Sequence, residues 1–204
     1  MKLRFVVGCM AVVAALVALP VRAQDQQEKK PVLSMSHLSD KQIAVYKAVL
    51  REWMSHEMPT VNLAALTKLA EPDGMQGYKD CAKGLEIEKP SEMIHRFMQA
   101  DAARMAPDGA ITLLEPRRGN EQVHENDPEQ GMRRGQSIED AVKNGFAHGL
   151  FSFTEIIFDK AHQHAIVSYG FVCGGLCGHA ETLVLELVKG EWVRAGRGCN
   201  NWIS

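Results

Sequence analysis

Residues 150–194 read LFSFTEIIFDKAHQHAIVSYGFVCGGLCGHAETLVLELVKGEWVR, and this stretch decides the fold. Phe151, Phe153 and Ile157 oppose Ser152, Thr154 and Ile156, and residues 182–188 alternate again. A period of two is the signature of a pleated strand, whose successive side chains point to opposite faces. Residues 159–164 turn the chain, residues 165–173 run back, a glycine-rich Cys173–Cys177 loop turns it again, and Lys189-Gly190-Glu191 makes the last reversal before Trp192. Strands this close together must pair antiparallel, because parallel neighbours need a crossover of a dozen or more residues. The expected architecture is α+β: a C-terminal antiparallel meander of about four strands, with N-terminal helices packed on one face.

Upstream the period becomes helical. Ser39-Asp40-Lys41-Gln42 has the form of a capping box, in which Ser and Gln each satisfy an amide of the first turn. Ile43, Tyr46, Val49, Leu50 and Trp53 follow as one apolar stripe, and Pro59 ends it. Residues 60–69 read as a strand. Residues 71–89, with Gly74, Gly77, Cys81 and Gly84, read as loop. Pro90-Ser91 opens an expected second helix burying Met93, Ile94, Phe97 and Met98 and closed by Pro107-Asp108-Gly109. Residues 111–114 form a short strand. Residues 115–136 are polar and read as a structureless segment, which at that length is disordered or functional. Ser137 then caps a helix over 138–144, with Asp140 at its third position.

The first 23 residues have the layout of a cleavable export signal: Lys2 and Arg4, an apolar run over 5–19, and Val21 and Ala23 at −3 and −1 of a cut before Gln24. The run is short for a membrane anchor, which needs about 20 apolar residues. A lipoprotein-like Val6-Val7-Gly8-Cys9 is the rival reading, but cleavage there leaves almost no apolar run ahead of it. The expected organisation is a signal peptide at 1–23, a flexible leader at 24–36 and a single domain at 37–204, exported and with no integral membrane segment after cleavage. Removing the signal leaves 20 basic against 25 acidic side chains, a net charge of −5. With no basic stripe, nucleic acid is not an expected partner.

The exported chain keeps Cys81, Cys173, Cys177 and Cys199. An even number in an oxidising compartment predicts two disulfides, with three possible connectivities. The short Cys-Gly-Gly-Leu-Cys loop favours Cys173–Cys177, which leaves Cys81–Cys199. Gly174, Gly175 and Gly178 are expected to supply positive-φ positions for the reversal, so that Gly175→Val would block it.

Several segments together carry a resemblance: Phe158-Asp159-Lys160, Ala165-Ile166-Val167-Ser168-Tyr169, Cys173-Gly174-Gly175-Leu176-Cys177-Gly178, Leu185-Glu186 with Gly190-Glu191-Trp192, and Trp202-Ile203-Ser204. This pattern over residues 150–204 resembles a group of uncharacterised exported bacterial proteins with a C-terminal β-meander, a CGxLCG turn and a terminal W-[IV]-S. The resemblance implies export and fold, and no catalytic residues.

Three functional classes follow. The absence of a phosphate loop, a Gly-x-Ser-x-Gly elbow, His-Glu-x-x-His and a calcium loop favours a non-catalytic module that binds an unknown protein or small ligand, with no cofactor. A metal-binding protein is the second, using Cys177, His179 and the turn histidines His162 and His164, because Cys and His at these spacings suit zinc or copper. A hydrolase or thiol enzyme is the third, with its site between residues 115–136 and the sheet. Glu155, Glu181 and Glu186 read as exposed strand positions that could act as acids or bases only beside a histidine.

Overall fold

The computed structural model describes residues 31–56, 58–70, 78, 81–106, 110–196 and 201–203. The expected signal peptide, Cys9, Cys199, the 107–109 helix stop and most of 71–80 lie outside them. In chain order these residues form β1 (Val32–Ser34), α1 (Asp40–His56), β2 (Val61–Ala64), β3 (Met93–His95), α2 (Gln99–Met105), β4 (Ile111–Leu114), α3 (Pro116–Glu125), α4 (Pro128–Arg133), α5 (Ile138–His148), β5 (Leu150–Phe153), β6 (Ile157–Phe158), β7 (His164–Gly174), β8 (Cys177–Val188), β9 (Glu191–Arg194) and β10 (Asn201–Ile203).

The fold is α+β. Its main sheet has eight strands in the order β10-β8-β7-β5-β2-β4, with β6 paired to β7 and β9 to β8. The C-terminal strands are antiparallel as expected. The expectation of about four strands falls short because β2 joins β5 and β4 in parallel, extending the sheet into the N-terminal half. Lys189 and Gly190 both have positive φ, the requirement of a tight two-residue hairpin between β8 and β9.

α1 lies on one face of this sheet. Gln42 accepts from the Ser39 amide at 3.0 Å and the Gln42 amide donates to Ser39 Oγ at 3.3 Å, so the capping box forms. Ile43, Tyr46, Val49, Leu50 and Trp53 are all buried. Tyr46 meets Phe153 and Phe97 with ring centroids 4.6 and 5.3 Å apart, and Trp53 meets Phe151, Tyr169 and Phe171 within 5.0–5.8 Å. Aromatic pairs at such spacings add to the area that they bury. A smaller apolar cluster of Cys81, Ala82, Ile157, Ile166, Val184 and Ala195 stands apart from this core.

Three expectations fail for identifiable reasons. Residues 93–95 form a strand, not the start of a helix, because they pair in parallel with Val32–Ser34. The helix is confined to Gln99–Met105. The same pairing orders part of the stretch expected to be a flexible leader. Residues 115–136 hold two helices, each opened by proline at its first turn: Pro116 in α3 and Pro128 in α4.

Candidate functional site

The Cys173–Cys177 disulfide forms, with Cα atoms 5.1 Å apart. Cys81 is buried and disulfide-bonded, while its expected partner Cys199 lies outside the described residues. The ladder between β7 and β8 is irregular between Val172 and Gly174, and neither Gly174 nor Gly175 has positive φ. The sensitivity expected at Gly175 is therefore corrected. A Cβ there would meet only Asp127 Oδ2 at 3.6 Å, whereas at Gly174 it would stand 2.8 Å from Pro128 Cδ. Replacing Cys173 and Cys177 together by Ser should cost no more than about 2 kcal/mol, because the closed loop is very short. Urea midpoints of the oxidised protein and the double variant check this.

Asp127 locks this turn to α4. Its carboxylate accepts from the Gly175 amide at 2.8 Å and, as N-cap, from the Glu129 amide at 2.8 Å. The Gly175 amide is the main cause of an Asp127 pKa below its ordinary value. Desolvation opposes it, and the Glu129 and Gln130 amides and His124 add to it. Asp159 is also lowered: burial pushes it up most, but the His164 amide and ring and the Gln163 amide together outweigh that. A carboxylate depressed on folding stabilises above its unfolded pKa of about 3.9, and this contribution is lost as pH falls through the lower folded value. The urea midpoint should therefore drop as pH falls below about 4, and Asp127→Asn should flatten part of that slope.

Beside the turn lies a cavity of about 630 Å³. Trp53, Phe146 and Phe171 line it together with the disulfide, and Met132, Val142 and Leu176 bring apolar side chains to it while 41, 40 and 81 % exposed. It adjoins a second cavity of about 250 Å³, since Trp53 and His179 line both. The smaller cavity has the more polar lining of the two. Glu181, which is 8 % exposed, accepts from Tyr169 Oη at 3.2 Å and pairs with Arg194, whose other nitrogen reaches Glu52 at 3.2 Å. The His179 ring lies nearly parallel to Trp53 at 6.2 Å and edge-on to Tyr169 at 5.5 Å. The two cavities are neighbours across the Trp53–His179 wall, and together they are termed the cleft, with an apolar side and a more polar side.

The metal candidates are not gathered. Cys177 has its sulfur in the disulfide and His179 is in the aromatic wall of the cleft. His162 donates to Glu88 at 2.8 Å and stacks on Phe158, and His164 donates to Asp159 at 2.9 Å. Among the described residues no group of three His, Cys, Asp or Glu is placed to hold a metal ion.

A third cavity, of about 640 Å³, sits where the hydrolase reading put its site, between α3 and the sheet. Lys68, His124, Asp127 and Ser152 line it. Ser152 Oγ donates to the Gly170 carbonyl at 3.4 Å and His124 contacts Gln130 at 3.2 Å, so the hydrogen bonds formed here do not join a nucleophile to a base.

Glu155 and Glu181 correct the expectation of exposed carboxylates. Glu155 is 2 % exposed and accepts from the Thr67 hydroxyl, the His95 amide at 2.9 Å and His95 Nδ1 at 2.9 Å. A carboxylate bonded to Nδ1 orients an imidazole as in a catalytic dyad. Here the neighbouring hydroxyl donates to the carboxylate and not to the ring, so it is not activated. Burial first, and then the Glu155 charge, push the Tyr46 pKa well above its ordinary value. The Tyr46 hydroxyl accordingly remains a donor, to the Thr154 carbonyl at 3.0 Å.

Of the cleft residues, the sequence pointed to His179, the cysteines and, as an exposed strand position able to act only beside a histidine, Glu181. Glu52, Tyr169 and Arg194 went unseen, and Trp53 read only as core. No family model, curated protein or solved structure matches the chain.

Proposed function

We propose that this chain is an exported, non-catalytic binding module that holds a small, partly apolar ligand in the cleft between α1, α4, α5 and the Cys173–Cys177 turn. The observation that carries this reading is the cleft itself. Ligand sites are concave, some 300–1,000 Å³, mostly apolar and provided with a few convergent polar groups. The larger cavity falls in that range at about 630 Å³ and shares Trp53 and His179 with the smaller one, which Glu181 and Arg194 line. Met132, Val142 and Leu176 are an apolar rim that a folded chain would otherwise keep from water.

Export is part of the proposal and rests on the basic, apolar and small-residue layout of residues 1–23. The likeness to exported proteins with a CGxLCG turn supports it. Among the described residues no helix is long and apolar enough to cross a membrane. N-terminal sequencing of exported material should start at Gln24.

The binding reading is tested with the neutral dye N-phenyl-1-naphthylamine. Its fluorescence should rise saturably at one site per chain. Leu176→Asp, at an exposed position, should weaken binding on the order of tenfold, since it puts a charge on the apolar rim, and should leave the circular dichroism unchanged. Absence of saturable binding, or equal binding by the variant, would refute the proposal.

A further inference from the structure

The cleft's lining also carries a charge pattern. Asp127 and Glu129 stand along the larger cavity, and Glu52 and Glu181 line the smaller one. Against these four carboxylates the described residues of the two linings hold one permanent cation, Arg194, and it is already divided between Glu52 at 3.2 Å and Glu181. Arg133 offsets Glu129 from beside the cleft at 2.6 Å. Among the described residues two carboxylates of the smaller cavity thus share one guanidinium, which leaves them one net negative charge beside an aromatic wall of Trp53, Tyr169 and His179.

An anionic ligand head would meet carboxylates at both ends of this cleft, and its desolvation would go uncompensated. A cation gains the unshared half of the Glu52–Glu181 charge and the π faces beside it. Glu181 is held in place from two sides by Tyr169 and Arg194, so little reorganisation is needed to receive it. The net charge of −5 left after removal of the signal draws cations in from solution. The geometry points to an amphipathic cation as the ligand: an alkyl or aromatic body in the larger cavity and an ammonium or amidinium head at Glu52 and Glu181. This assignment rests on the ligand-binding reading and goes beyond it in naming the charge.

Three amphiphiles of equal chain length test it by calorimetric titration of the whole chain below micelle formation: decyltrimethylammonium, decyl sulfate and decyl maltoside. The cation should bind tightest, on the order of tenfold above the sulfate at low salt, with a margin that shrinks as salt is added. Glu52→Gln removes a half-exposed carboxylate and should weaken the cation about fivefold, leaving the maltoside unchanged. Decyl sulfate binding as tightly as the cation, or Glu52→Gln weakening all three alike, would overturn the cationic assignment and leave the cleft as a ligand site. So would failure of all three amphiphiles while the neutral dye binds. Failure of the dye as well would remove the ligand-binding reading itself.

Discussion

Replacing Glu155 by Ala should destabilise the folded chain by about 3–5 kcal/mol, the cost of removing one partner from a buried charged network. Three donors converge on this carboxylate: the Thr67 hydroxyl, the His95 amide and the His95 ring. Alanine would leave these donors buried or nearly so, since the His95 side chain is 13 % exposed and Thr67 is buried. The network also holds two segments together. The Thr67 amide donates to the His95 carbonyl at 3.0 Å and the Phe97 amide to the Ala65 carbonyl at 2.9 Å, so residues 65–67 and 95–97 meet where Glu155 sits. Loss of Glu155 should therefore loosen the β1–β3 pair and speed its amide exchange before the main sheet yields. Glu155→Gln keeps one acceptor and should cost less, about 1–2 kcal/mol. Denaturant titration of both variants decides it: an Ala variant within 1 kcal/mol of wild type would mean that water takes over the carboxylate's role.

What was legible in the sequence follows from how each element is stabilised. α1 announced itself because its buried stripe is made of large apolar side chains at helical spacing behind a local cap. The hairpins were legible for the same local reason: Lys189-Gly190 supplies a turn whose backbone requirements are written in two residues. β3 was misread because Met93, Ile94, Phe97 and Met98 fit a helical face equally well. What decides for a strand is a partner some 60 positions away, Val32–Ser34, which no local period reveals. α3 was missed for the opposite reason. Its buried position is Gly119, packed so tightly on Leu150 that a Cβ would come within 2.9 Å of that side chain. A helix that docks through glycine shows no apolar stripe.

The cleft was hidden by topology. Glu52 belongs to α1, Tyr169 to β7, His179 and Glu181 to β8 and Arg194 to β9. In sequence, Glu181 beside Thr182 looks like an ordinary outward strand position. It becomes a buried carboxylate paired with a half-exposed guanidinium only because β9 folds back along β8, which sets Arg194 opposite Leu185, and because α1 brings Glu52 to the same guanidinium.

Gly145→Val should both destabilise the chain, by up to about 3 kcal/mol, and empty the cleft of ligand. Gly145 in α5 and Gly174 at the end of β7 both pack against Pro128, the first residue of α4. A Cβ at Gly145 would stand 2.6 Å from Pro128 Cγ and 3.2 Å from the Cys173 carbonyl, and one at Gly174 would stand 2.8 Å from Pro128 Cδ. Proline cannot swing aside as a flexible side chain does, because its ring is fixed to the backbone. Valine at 145 must therefore push α4 away from α5 and from the disulfide-bonded turn. That displacement moves Pro128, Asp127 and Met132, which line the larger cavity. It also strains the Asp127 bond to the Gly175 amide, which spans 2.8 Å. Gly175→Ala is the control, since its Cβ would find ordinary contact at 3.6 Å. It should match wild type in melting temperature and dye binding. If Gly145→Val kept full dye affinity with a lowered melting temperature, α4 would be structural support and not a wall of the ligand site.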